Sequence, residues 1–80
     1  MEFTIKTKFN IGDTVYVAEH YYELYACKEP HIVTDILING NPRHISIRYE
    51  TMCNGNIERF PEGWIFATYE ECAKWCEEHN

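Results

Sequence analysis

The stretch Phe9-Asn10-Ile11-Gly12-Asp13-Thr14-Val15-Tyr16-Val17 decides the fold. It sets an apolar pair, Phe9 and Ile11, before a Gly-Asp step, which is a common turn sequence. After the turn, β-branched and aromatic residues dominate residues 14–19, which predicts a strand. The stretch therefore predicts that the chain turns tightly and then enters a sheet at residue 14.

The remainder of the chain predicts a mainly β domain with one helix. Apolar alternation and β-branched residues predict a short leading strand over residues 3–6, longer strands over residues 31–38 and 44–52, and a short strand over residues 56–60. A short apolar segment, residues 64–66, returns to the core. The path of residues 20–30 stays open between an extended strand and a long loop, because Pro30 interrupts any regular pattern.

Two turn sequences predict hairpins and their strand registers. A turn over residues 39–43 joins the two central strands and sets Cys53 opposite residue 28 or 29, next to Cys27. Asn54-Gly55 predicts a second hairpin, in which Glu50 faces Arg59 across the strands.

The C-terminal residues carry a helix signature. Thr68 is a suitable N-cap, and Glu71 follows three residues later, as a capping box requires. The predicted helix covers about residues 69–79. Its apolar stripe, which we expect to face the sheet, consists of Tyr69, Cys72, Ala73 and Cys76.

Composition limits the classes of function. Eighty residues form one domain, residues 1–80, with a small core. The net charge is −6, and residues 50–80 hold seven acids against two bases, which disfavours direct nucleic-acid binding and favours a basic partner. No apolar run is long enough to span a membrane, and residues 1–6 lack the charged-then-apolar pattern that would predict a signal peptide. We expect a cytoplasmic protein with reduced thiols, as a monomer or small homo-oligomer.

Three features together resemble a known group of small proteins. They are the opening stretch, the two-hairpin middle, and the ending Ile65-Phe66-Ala67-Thr68-Tyr69-Glu70-Glu71. This combination resembles the small stand-alone SH3-like-barrel proteins of phages and Firmicutes. The resemblance implies a five-stranded antiparallel barrel with one C-terminal helix. Some phage-borne proteins of this size and style inhibit host defence, as anti-CRISPR proteins do.

The four cysteines, Cys27, Cys53, Cys72 and Cys76, are candidate ligands of a structural zinc. Cys72 and Cys76 lie one helical turn apart, and the predicted hairpin brings Cys53 towards Cys27, so the two pairs can converge on one ion. His31 or His79 can replace one cysteine. Two other interpretations remain open: buried inert thiols, because free cysteine is often buried, or disulfides in an exported protein.

Aromatic and acidic residues predict surfaces for a protein partner. Tyrosines suit protein interfaces, and acids near them complement a basic partner. The candidates cluster in two segments, Tyr21, Tyr22, Glu23 and Tyr25 in the first and Glu70, Glu71, Glu77 and Glu78 in the second.

No catalytic constellation emerges, so we expect a protein without enzymatic activity. A Cys53–His31–Asp35 hydrolase fails on distance, since residues four apart on a strand are about 13 Å apart. The preferred hypothesis is an acidic inhibitor that occupies the basic surface of a host nucleic-acid enzyme. The alternative is a general peptide- or nucleic-acid-binding SH3-like module without an inhibitory role.

Overall fold

The structure, a computed structural model, describes residues 4–80. It contains a mainly antiparallel sheet, one turn of 3-10 helix and one α-helix, in the order β1 (Thr14–Tyr21), β2 (Glu23–Ala26), β3 (His31–Asn41), β4 (His44–Cys53), β5 (Asn56–Pro61), the 3-10 turn (Glu62–Trp64), β6 (Ile65–Phe66) and α1 (Tyr69–Glu78). The mainly β class with a C-terminal helix is confirmed. The predicted leading strand is absent from residues 4–6, and residue 3 lies outside the described residues.

The strands form one open sheet in the order β2-β1-β3-β4-β5, with β6 also paired to β1. Successive parts of β1 pair with different strands: residues 14–15 with β3, 16–17 with β6, and 18–21 with β2. Within residues 4–80, β5 pairs only with β4, so the pairing does not close the sheet into a barrel. The sheet is therefore open along the outer edge of β5.

The path left open over residues 20–30 is a tight hairpin. β1 continues to residue 21, and β2 returns along it, with His20 opposite Leu24. Tyr22 forms the tip with a positive φ of 62°, which is unusual for a bulky side chain. The ladder extends past β2, because the Cys27 amide donates to the carbonyl of Val17 at 3.0 Å. Cys27 is thereby fixed beside the centre of β1.

The predicted register of the β3–β4 hairpin is wrong by about three residues. Asn41 pairs with His44 and Ile32 with Met52, so the strands run further and the turn is the Pro42-Arg43 pair. Gly40 permits this continuation: its φ is 117°, and a Cβ there would lie 2.0 Å from the carbonyl oxygen of His44. Cys53 consequently comes after Met52 on the ladder and aligns with His31, not with residue 28 or 29.

The second hairpin follows its prediction. Cys53 pairs with Asn56 across the Asn54-Gly55 turn, whose two residues have φ values of 50° and 80°. Glu50 lies opposite Arg59, and their side chains form an ion pair of 3.3 Å.

The helix also begins as predicted. Thr68 Oγ1 accepts a hydrogen bond from the amide of Glu71 at 3.2 Å, which caps the first turn. The helix ends at Glu78, and His79 is the C-cap. Over residues 4–80, no helix has both the length and the apolar character that a membrane crossing requires.

Buried side chains form two clusters on opposite sides of β1. The sheet cluster contains Phe9, Val15, Val17, Val33, Tyr49, Phe60 and Ile65. The helix cluster contains Ala18, Phe66, Cys72 and Cys76, with Trp64 and Trp75 packed against it. Because strand side chains alternate in direction, β1 contributes to both clusters and separates them. The start of the Phe9–Val17 stretch is also held against this core, since the amides of Lys8 and Phe9 donate to the buried Tyr49 hydroxyl.

Candidate metal site and binding groove

Three potential metal ligands meet where β1, the β2–β3 connection and β3 come together. Glu19 is on β1, Cys27 follows β2, and His31 begins β3. Their ligand atoms, a carboxylate oxygen, a sulfur and a ring nitrogen, all lie within 4.8 Å of one another. This combination of oxygen, thiolate and imidazole ligands is typical of zinc.

His31 is buried and only half satisfied. Its side chain is 4% exposed, its ring packs edge-on against Phe60, and its Nδ1 lies 3.0 Å from Thr51 Oγ1. Within residues 4–80, Nε2 of His31 is the one buried side-chain nitrogen or oxygen without a hydrogen-bond partner. An unsatisfied buried polar atom costs about 1–3 kcal/mol, so this nitrogen needs an explanation.

A small polar cavity of about 150 Å³ is lined in part by His31. Cys53 lines it, and the Cys53 thiol donates to Glu29 Oε2 at 3.3 Å. Asn54 donates to the same carboxylate oxygen. The complete lining consists of Glu19, Cys27, Glu29, His31, Cys53, Asn54, Asn56 and Glu58.

The environment of this cavity keeps both thiols protonated when it holds no cation. Burial raises the pKa of the Cys27 thiol, and the carboxylates of Glu19 and Glu29 raise it further. The pKa of the Cys53 thiol is raised by partial burial and by its hydrogen bond to Glu29. A bound cation would reverse this effect, because thiolates are the form that ligates metals.

The structure does not bring the four cysteines together. Within residues 4–80, one group of three or more potential ligands has all its ligand atoms within 4.8 Å of one another, and it consists of Glu19, Cys27 and His31. Cys72 and Cys76 are buried in the helix cluster, whereas Cys27 packs against the sheet cluster, so β1 stands between the pairs. Of the alternative ligands, His31 lies beside Cys27, but His79 stacks on Trp75 with ring centroids 4.2 Å apart.

Cys72 and Cys76 behave as packing residues. Cys72 is 0% exposed and Cys76 is 3% exposed. Burial, with a smaller contribution from the neighbouring Cys76, raises the pKa of the Cys72 thiol to about 12. A thiol with that pKa is neutral at physiological pH and a poor nucleophile.

A larger groove of about 600 Å³ separates the β1–β2 hairpin from β5. Its walls combine aromatic, acidic and basic side chains, supplied by Ala18, Glu19, His20, Tyr21, Tyr25, Glu58, Arg59, Phe60, Pro61 and Trp64. Tyr21 and Tyr25 are 70% and 44% exposed, and the Tyr25 hydroxyl donates to Glu19 Oε2 at 2.6 Å. The groove and the polar cavity share Glu19 and Glu58.

The residues predicted to bind a partner divide between two surfaces. Tyr21 and Tyr25 line the groove, whereas Tyr22, 90% exposed, does not line it, although its ring lies 4.6 Å from that of Tyr21. Glu23 is exposed beside them. The glutamates of α1, Glu70, Glu71, Glu77 and Glu78, are all exposed on the helix.

Sequence reasoning missed several residues of both regions. Glu19 follows Val15 and Val17 at two-residue spacing, so an acid on a core-facing strand position was the available signal. Phe60, Pro61 and Trp64 gave no such signal, because their position beside the tyrosines depends on how β5 packs. Comparisons with protein-family models, with curated proteins and with solved structures found no match to this chain.

Proposed function

We propose that this protein is a non-enzymatic binding module whose groove takes an extended, basic segment of a partner protein. The observation that carries the proposal is the groove itself, because two separate parts of the chain bring four aromatic rings together there. Tyr21 and Tyr25 come from the hairpin, and Phe60 and Trp64 come from β5 and the 3-10 turn. Aromatic side chains supply large contact areas at low entropic cost, and they dominate protein interfaces.

The edges of the sheet favour an extended ligand at this groove. The outer edge of β2 is occupied at Leu24, because the Asn80 side chain donates to the Leu24 carbonyl and accepts from its amide. In contrast, β5 pairs only with β4 within residues 4–80. An extended segment lying in the groove can therefore add main-chain hydrogen bonds to β5.

The charges of the groove favour a basic ligand. Glu19 and Glu58 line it, and its cationic residue, Arg59, is already paired with Glu50. The net charge of −6 extends this attraction beyond the groove. Lysine or arginine in the ligand is therefore expected to increase affinity, most strongly at low ionic strength.

The tip of the hairpin supports the same proposal. Tyr22 holds a left-handed backbone conformation at φ 62° while exposing 90% of its side chain. Such conformations cost free energy and concentrate at functional positions. Because the Tyr22 side chain is not buried in the free protein, its exposure at this strained position is consistent with contact to a partner.

A peptide selection tests the proposal directly. Random peptides displayed on phage are selected on the purified protein, and the enriched sequences are measured by fluorescence polarisation. We expect enrichment of lysine and arginine, and we expect Glu58→Lys in the groove to weaken binding by about tenfold. Glu71→Lys on the helix is the matched control, with the same charge change outside the groove. Equal loss for both variants, or loss for Glu71→Lys alone, would overturn the groove assignment.

The inhibition of a host nucleic-acid enzyme is the second candidate function. The observation that favours it is the exposure of all four glutamates of α1, which form a second acidic surface. This surface is suited to a basic enzyme surface that otherwise holds nucleic acid. The resemblance to phage-borne SH3-like-barrel proteins belongs to this proposal.

The inhibitor proposal has its own test. Purified host nucleases and helicases are assayed for DNA binding with increasing protein, at low and at high salt. We expect displacement of DNA at low salt and its loss at high salt. A variant with Glu70, Glu71, Glu77 and Glu78 all changed to Gln should lose the effect, whereas Glu58→Gln should retain it. Displacement that persists in the helix variant would contradict this candidate.

We also propose a structural zinc, held by Glu19, Cys27 and His31 in place of the four cysteines. The mutual proximity of their ligand atoms and the unsatisfied Nε2 of His31 support it. Zinc binding through thiolate requires reduced cysteine, which agrees with the proposed cytoplasmic location.

A further inference from the structure

The zinc proposed above leaves one coordination position to be explained. A structural zinc site is almost always tetrahedral with four protein ligands, whereas catalytic sites leave one position open. Glu19, Cys27 and His31 supply three ligands. The question is which group completes the shell.

We infer that Cys53 is the fourth ligand, so that the site is a closed Glu-Cys-His-Cys centre joining the hairpin to the sheet. Cys53 lines the same cavity as the other three residues. Its placement follows from the ladder: Ile32 pairs with Met52, so the preceding residue of β3, His31, faces Cys53. Directly opposite residues share a face of the sheet, with Cβ atoms about 5 Å apart.

Zinc binding requires the ligand atoms to move closer together and one side chain to change rotamer, with the strand pairing unchanged. Ligand atoms around tetrahedral zinc are about 3.5 Å apart, as bond lengths of about 2.0–2.3 Å dictate. Those of Glu19, Cys27 and His31 are within 4.8 Å. Cys53 instead donates to Glu29 Oε2, so a change of its side-chain rotamer, away from Glu29, accompanies binding.

The orientation of His31 is already fixed for this role. Thr51 Oγ1 lies 3.0 Å from Nδ1, whereas Nε2, on the other side of the ring, has no hydrogen-bond partner within residues 4–80. Metal-bound histidines commonly use their second nitrogen in this way, since the outer hydrogen bond sets the tautomer and the ring orientation. Thr51 is 0% exposed, so this hydrogen bond is shielded from water.

The site connects three segments that are separate along the chain. Glu19 belongs to the β1–β2 hairpin, Cys27 and His31 bracket the β2–β3 connection, and Cys53 ends β4. Glu19 also receives the hydrogen bond of Tyr25, a residue of the groove. One ion therefore fixes the base of the hairpin whose tip carries the exposed tyrosines. This inference rests on the zinc proposed above and adds the fourth ligand and its mechanical effect.

Cobalt(II) is the probe, because its spectrum reports both the geometry and the number of thiolates. The reduced protein is titrated with Co²⁺, followed by Zn²⁺ displacement and measurement of the metal content. We expect one ion per chain, tetrahedral d–d bands, and a thiolate charge-transfer band that falls to about half in Cys53→Ser. Cys76→Ser, in the helix cluster, is the matched control and should leave the band unchanged.

The possible results distinguish the role of Cys53 from the zinc site itself. No metal bound to the wild-type protein would overturn both the zinc and the fourth ligand. Full charge-transfer intensity and unchanged affinity in Cys53→Ser, with loss of binding in Cys27→Ser, would leave the three-ligand site and overturn the role of Cys53. Far-ultraviolet circular dichroism of each metal-free variant distinguishes lost ligation from lost folding.

Discussion

The two pairs of cysteines lie in contrasting environments. Cys27 and Cys53 line a polar cavity with His31 and three glutamates, Glu19, Glu29 and Glu58. Cys72 and Cys76 lie in an apolar layer between helix and sheet. The same side chain is thus a candidate ligand in one region and a small hydrophobic residue in the other. The surroundings of a thiol, rather than its presence, decide which chemistry it can perform.

The largest expected effect is on zinc-dependent stability. At free zinc a thousandfold above Kd, we expect the wild-type free energy of unfolding to rise by about 4 kcal/mol, because zinc binds only the folded chain. Cys27→Ser should lose this increment, and Cys76→Ala should keep it. Urea unfolding under reducing conditions, with and without zinc, measures both. An equal increment in Cys27→Ser would remove the distinction between the pairs.

The next effect concerns stability without metal. We expect Cys72→Ser to lower the free energy of unfolding by about 2 kcal/mol, since it buries a hydroxyl in an apolar layer. Cys53→Ser should change it by less than about 0.5 kcal/mol, because serine can also donate to Glu29. Equilibrium urea unfolding in the presence of a chelator tests the comparison. A larger loss in Cys53→Ser would show that the cavity, not the helix layer, depends on its thiol.

The third effect is an alkaline loss of stability that originates in the helix layer. In the unfolded chain the Cys72 thiol ionises at the ordinary cysteine pKa of 9.0, whereas in the folded protein burial raises its pKa to about 12. Because the folded state holds the proton more tightly, stability is complete below pH 9 and decreases as pH rises towards 12. The expected loss from this group is roughly 1–2 kcal/mol at pH 10.

Cys72→Ala provides the control for this pH dependence. Unfolding free energies measured at pH 8 and at pH 10 should differ less in this variant than in the wild-type protein. Identical pH dependence in both would assign the alkaline loss to other groups, such as the Cys27 thiol.

The smallest effect tests whether the two regions are independent. Thr68→Ala removes the N-cap of the helix that carries Cys72 and Cys76, and we expect a loss of about 1 kcal/mol. Cobalt affinity should remain unchanged, because none of the four proposed ligands lies on the helix. Isothermal titration at a temperature where both proteins are folded makes this measurement. A weaker affinity in Thr68→Ala would indicate that the regions are coupled.

Local sequence signals predicted those elements that depend on neighbouring residues. The helix start at Thr68 and the Asn54-Gly55 hairpin follow from side-chain capping and from turn conformations. The β3–β4 register failed, because Asn39-Gly40 is an equally good turn sequence, while the chain turns at Pro42-Arg43. A register error of this kind changes which residues face Cys53, and it changed the predicted site.

The candidate metal site was predicted in part. Cys27, Cys53 and the alternative ligand His31 were named from the sequence, but they were assigned to one site with the helix cysteines. Glu19 was not named as a ligand: its two-residue spacing from Val17 places an acid on the core-facing side of β1, but that pattern does not show which other ligands lie near it. Both faces of β1 are buried, so it divides the cysteines in a way that periodicity on α1 alone does not show.

By itself, the sequence determined the mainly β class, the strand that begins after Gly12-Asp13, the capped helix and the acidic surface. These follow from turn preferences, side-chain alternation and charge, all of which act over a few residues. Only the tertiary structure decided that β1 separates the two cysteine pairs, that His31 is left with an unsatisfied nitrogen, and that β5 completes an aromatic groove. Those features depend on which strands pair and in what register, and long-range packing sets both.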